Sequence, residues 1–142
     1  MTKKALLFAT CILFFENLSA QVETPAYARV AAQFEKSYNA GTYDSIFNLF
    51  SAQMQGFLPK GKTISFLTGL KTQAGQITKR EFTGYENGTY ATYKTNFERA
   101  VFGVHISLDA ESKINGLFVK PFVENNAPKM ERNITKLKLP FK

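Results

Sequence analysis

The sequence predicts an α+β domain: three N-terminal helices packed on one face of a curved antiparallel sheet of about four strands. Helix-period apolar spacing fills the front half, from Tyr27 to Leu70. After Gly75 the pattern changes to period two, best seen where Phe102, Val104, Ile106 and Leu108 alternate with Val101, Gly103, His105, Ser107 and Asp109. An Asn87-Gly88 pair in that second half is a strong hairpin signal. With 142 residues, 44% hydrophobic and 20% charged, the chain has globular composition and room for one core.

The first helix is signalled by Thr24 as its cap, Pro25 at its first position and Gly41 as its stop. Along it Tyr27, Val30, Ala31, Phe34 and Tyr38 share one face. A second helix, capped by Thr42 or Asp44, repeats the spacing through Tyr43, Ile46, Phe47 and Phe50, with Met54 one turn further on. Leu58-Pro59 breaks the chain, and a third helix runs from about Thr63 to Gln73, with Gly75 closing it and Gly69 a weak point inside. Four strands follow: a short one over Ile77 to Phe82, then Thr89 to Phe97, Phe102 to Leu108 and Ile114 to Phe122.

Residues 1–20 read as a secretory leader. Lys3 and Lys4 precede an apolar run from Ala5 to Phe15, and Ser19-Ala20 supplies a small-residue exit before Gln21. That run is too short for a membrane span, which needs about 20 residues. Acylation of Cys11 is the rival reading, but Cys11 sits inside the run. The expected product is exported, to the periplasm or beyond, with residues 21–122 as the domain and 123–142 as a basic linker or tail. The single Cys and single His argue against a zinc site, a disulfide framework or a Cys–His nucleophile pair. The net charge of +7 includes Lys3, Lys4 and Glu16 of the leader, which leaves 7 − 2 + 1 = +6. These charges are scattered except in the tail, which favours a solvated basic surface, and no nucleic-acid motif accompanies them.

The stretch Phe34…Tyr38-Asn39…Gly41…Tyr43-Asp44…Ile46-Phe47…Leu49-Phe50-Ser51…Met54, then Leu58-Pro59…Phe66-Leu67…Leu70…Gly75, resembles a bacterial domain of unknown function in the nuclear transport factor 2-like (cystatin-like) superfamily. Ile106-x-Leu108-Asp109…Lys113-Ile114-x-Gly116-Leu117 carries the same resemblance. It implies a cone-shaped α+β fold, a place just after a signal peptide, and association with a serine hydrolase, an α/β-hydrolase or a cell-wall peptidase. The chain ends at Leu139-Pro140-Phe141-Lys142 where longer relatives continue, so it reads as a truncated multidomain protein or a stand-alone accessory copy.

Site candidates stand beside plainer readings. His105 is the only histidine; it falls opposite the apolar face of its strand, as an outer-face or dimer-face residue. Asp109 shares its face but lies about 13 Å along the strand, too far to orient it. Asp44 reads as first-turn helix dressing and Glu98 as a strand-end residue, although superfamily enzymes use one pocket carboxylate. Asp109 and Lys113 bracket a β-turn. The aromatics read first as core. Any small apolar ligand would meet Tyr38, Tyr43, Phe66, Tyr93 and Phe97, with the Tyr hydroxyls as polar handles. The expectation is a non-catalytic accessory or binding domain without catalytic residues, cofactor or metal. The alternatives are a small isomerase or hydrolase using one pocket carboxylate or His105, and a homodimer through the sheet face bearing Val101, His105 and Ser107.

Overall fold

The computed structural model describes residues 21–124, so the leader at 1–20 and the tail from residue 125 onward lie outside the described residues. Four helices precede four strands: α1 (Pro25–Ala40), α2 (Tyr43–Leu49), α3 (Ala52–Phe57), α4 (Lys60–Ala74), β1 (Ile77–Glu86), β2 (Tyr90–Phe97), β3 (Val101–Leu108) and β4 (Ile114–Pro121). The strands form one antiparallel meander in the order β1-β2-β3-β4.

The helix expected to continue from Tyr43 past Phe50 is broken into α2 and α3. Phe50 is extended (φ −74°, ψ 144°), forms a parallel bridge to Ile114 of β4, and hands the next N–H, from Ser51, to the Ile114 carbonyl at 2.8 Å. Ser51 then restarts the helix, its hydroxyl accepting from the Met54 N–H at 3.1 Å. Thr24 and Thr42 occupy the N-cap positions of α1 and α2, yet neither hydroxyl caps its helix. The Thr24 N–H donates to the Tyr85 hydroxyl at 3.0 Å, and the Thr42 hydroxyl donates back to the Ser37 carbonyl at 3.3 Å. β1 is longer than expected and reaches Glu86, which proves decisive for the site.

Val30, Phe34 and Tyr38 of α1, Ile46 of α2, and Leu67 and Leu70 of α4 bury against Ala91, Tyr93, Phe97, Val104, Ile106 and Ile114 of the sheet. Several cations close the helix ends, where unpaired carbonyls concentrate negative charge. Lys71 donates to the Tyr38 and Asn39 carbonyls at the end of α1, Lys113 to the Asn48 carbonyl of α2, and Arg99 to the Lys71, Thr72 and Gln73 carbonyls of α4. Part of the basic surplus is therefore structural. Asn39 ties α1 to the sheet by exchanging two hydrogen bonds with the Ile77 backbone, at 2.8 and 2.9 Å. Among the described residues, no helix is long and apolar enough to cross a membrane.

Candidate functional site

The pleat gives the sheet two different faces. Tyr93, Val104 and Ile106 point under the helices, while Thr92, Gly103, His105, Phe118 and Lys120 point the other way, onto a face that no described helix covers.

The residues expected to line an inner pocket are not brought together as one. Tyr38 and Tyr93 are 0% exposed and Phe97 is buried with them. Tyr38 meets Phe97 edge-on at 5.6 Å and Tyr43 at 6.4 Å, and its hydroxyl donates to the Gly75 carbonyl at 2.9 Å. Tyr93 packs edge-on to Phe82 at 5.8 Å and donates to a Glu23 carboxylate oxygen at 2.6 Å. Burial pushes both phenols well above the usual tyrosine range, with the Glu23 bond adding to the rise at Tyr93, so both remain protonated donors. Tyr43 is half-buried beside a shallow surface hollow, and Phe66 is 40% exposed on α4.

The carboxylates have structural partners. Asp44 pairs with Lys60 at 3.1 Å on the surface. Glu98 accepts from the Gln76 N–H at 2.9 Å, joining the start of β1 to the end of β2. Asp109 accepts from the N–H groups of Glu111 and Lys113, both at 2.9 Å, and so closes the β3–β4 turn.

The uncovered face holds a different arrangement. Thr92, His105 and Phe118 form one cross-strand row, and His105 is only 1% exposed despite lying on that face. The Phe118 ring stacks on the imidazole at 4.3 Å with 9° between planes, and the Lys120 ammonium lies 5.5 Å from the centre of the Phe118 ring. Nδ1 of His105 lies 3.1 Å from the Thr92 hydroxyl and 3.3 Å from the Glu86 carboxylate. Glu86 also meets Lys120 at 3.6 Å. It sits on β1 and Lys120 on β4, three strand spacings of about 4.8 Å apart, and their long side chains meet across His105.

As an N–H, Nδ1 faces the Glu86 carboxylate, and as a bare nitrogen it accepts from the nearer Thr92 hydroxyl; the carboxylate favours the first arrangement, which leaves the lone pair on Nε2. Nε2 is buried and has no hydrogen-bond partner among the described residues. A buried polar atom left unpaired costs about 1–3 kcal/mol. The imidazole edge packs against Gly103: a Cβ at that position would stand 3.0 Å from Nε2. The row above Gly103 runs from Lys94 through Gly103 to Lys120. Thr92, Gly103, His105 and Lys120 form the floor of an open hollow of about 610 Å³, rimmed by Gln21, Glu86, Pro121, Phe122 and Val123. Among the described residues, no group of three or more His, Cys, Asp or Glu side chains is placed to hold a metal ion.

Burial pulls the His105 imidazole below its ordinary value; Glu86 opposes that pull and Lys120 reinforces it. The unfolded chain, with its imidazole near about 6.5, therefore binds a proton before the folded domain does. Stability contributed by neutral His105 is intact above that value and declines as the pH falls below it. Urea unfolding at about pH 7.5 and about pH 5 is expected to show that loss, and His105→Asn to reduce the slope.

Residues 31–117 match the family described as "Protein of unknown function (DUF3887)". The chain belongs to that family. The matched stretch runs from α1 into β4 and includes Glu86, Thr92, Gly103 and His105. No curated protein and no solved structure matches the chain.

Sequence reasoning misses Glu86 and its pairing with His105. A first strand that ends at Phe82 leaves Glu86 in the turn; one that continues to the Asn87-Gly88 signal places it on the sheet, where it lies.

Proposed function

We propose that this domain is a non-catalytic, exported accessory module of the nuclear transport factor 2-like type that holds a ligand on its uncovered sheet face and works beside a hydrolase or cell-wall peptidase. One observation carries the reading. The space under the helices is occupied by interlocked Phe34, Tyr38, Tyr93 and Phe97, whereas the hollow with an unpaired polar atom lies on the opposite face. The polar groups there suit binding better than turnover, since Nε2 of His105 has no hydroxyl or thiol of the chain to activate among the described residues. Self-association through the same face would cover the hollow and compete with a ligand.

The Glu86–His105 pair favours a second reading, a small isomerase or hydrolase. A carboxylate that holds a proton on Nδ1 would leave Nε2 bare as a general base, and a substrate could supply the proton. Incubating the purified chain with a p-nitrophenyl ester and with soluble cell-wall fragments separates the two. The module reading expects no turnover above buffer. Turnover abolished by His105→Asn in a folded protein would replace it with the enzyme reading.

A further inference from the structure

We infer that the chain freed after Ala20 closes its first residue, Gln21, into a pyroglutamate lactam, with the Tyr85 N–H holding the carbonyl oxygen through the reaction. The assignment rests on the exported reading above and on the leader boundary before Gln21.

The Gln21 amide is seated before any chemistry occurs. β1 is an edge strand with one free side, and Gln21 Oε1 accepts from its Tyr85 N–H at 2.5 Å. The strand slips register between Phe82 and Gly84, and Gly84 leaves room for the amide: a Cβ there would stand 2.9 Å from Oε1. Just beyond, Glu23 accepts from the Tyr93 hydroxyl at 2.6 Å, and the Thr24 N–H donates to the Tyr85 hydroxyl at 3.0 Å. Val22 is 82% exposed, so the first residue can adjust as the ring draws in.

Cleavage turns the Gln21 nitrogen into an amine with an ordinary pKa of about 7.7–8.0, so part of it is neutral at physiological pH. That nitrogen attacks Cδ of its own side chain. The N–Cδ bond forms, the Cδ–Nε2 bond breaks, and Nε2 leaves as ammonia with the proton that the amine gives up. Amine and amide belong to one residue, so no encounter is needed. Negative charge develops on Oε1 during the attack, at the atom that the Tyr85 N–H already contacts, and a donor so placed speeds acyl transfer. The product carries neither a positive charge nor a primary amine, which denies aminopeptidases their handle. Closure also removes an ammonium from the wall of the hollow, where Lys120 already stands.

The test is to express the full chain with its leader in an exporting bacterium that lacks a glutaminyl cyclase. Exported protein is collected at about pH 5, where the amine is protonated, then moved to about pH 8 and followed by intact mass. A chain that begins at Gln21 and becomes lighter by one ammonia is expected, with fragmentation of the N-terminal peptide placing the loss on residue 21. The loss should run at least about threefold faster in the folded protein than in denaturing urea, the effect of one modest hydrogen bond. Gly84→Ala should slow it toward the unfolded rate; if that variant does not fold, the urea comparison decides alone. A chain that starts at Gln21 and keeps its ammonia overturns the inference and leaves export standing. Equal rates in the folded and unfolded chain overturn the part assigned to Tyr85. A leader retained, or cut elsewhere, overturns the inference together with the exported reading.

Discussion

Tyr93→Ala is expected to destabilise the domain by about 3–5 kcal/mol, the cost of emptying a fully buried aromatic position. The ring is 0% exposed, Phe82 packs edge-on to it, and the Arg80 guanidinium lies 5.1 Å from its centre. Its hydroxyl donates to Glu23 at 2.6 Å, so truncation also strips a carboxylate of a partner. Had Tyr93 lined a ligand pocket, removing it would mainly enlarge a space that already exists, at small cost. Thermal or urea unfolding of the variant decides between the two: a loss below about 1 kcal/mol would mean that the interior is hollow rather than packed.

Gly75→Ala is expected to cost about 2 kcal/mol or more, through two independent penalties. Gly75 adopts φ +82° and ψ −157°, a backbone conformation open to glycine and strained for alanine. A Cβ there would also fall 2.8 Å from Cβ of Glu98 and collide with its carboxylate. The contact that moves is the Glu98 bond to the Gln76 N–H, which joins the end of the helical layer to the sheet. Gly69→Ala is the matched comparison. Gly69 lies inside α4, where an added Cβ would meet nothing within 4 Å, so alanine there should stabilise by about 0.5–1 kcal/mol. Equal effects at the two glycines in an unfolding titration would dismiss the structural role assigned to Glu98.

Local chemistry makes much of the architecture readable. Pro25 and Gly41 bracket α1, Asn87-Gly88 turns β1 into β2, and Asp109 closes the next turn, all through bonds within a few residues. The division of the second helix is not readable, because it depends on Phe50 and Ser51 pairing with Ile114, more than sixty residues away in a strand not yet placed. The site is half legible for the same reason. Alternation along β3 puts His105 on the face away from the core, and there it lies. Alternation says nothing of depth, however: His105 is buried by Phe118 from β4 and met by Glu86 from β1, and both contacts depend on the register and curl of the whole sheet. The aromatics follow the opposite course. Composition shows that they are numerous, but only packing shows that Tyr38, Tyr93 and Phe97 fill the interior.

The chemistry of the uncovered face depends on one proton of His105: on Nδ1 it is directed at Glu86, and on Nε2 it leaves Nδ1 to accept from Thr92. Imidazole ¹⁵N spectroscopy of the ligand-free chain near neutral pH reads both ring nitrogens of that residue directly. A protonated Nδ1 and a bare Nε2 are expected, with a return to equal populations of the two tautomers, or to Nε2–H, when Glu86→Gln removes the carboxylate. A wild-type imidazole already protonated on Nε2, or charged on both nitrogens at neutral pH, would contradict that arrangement.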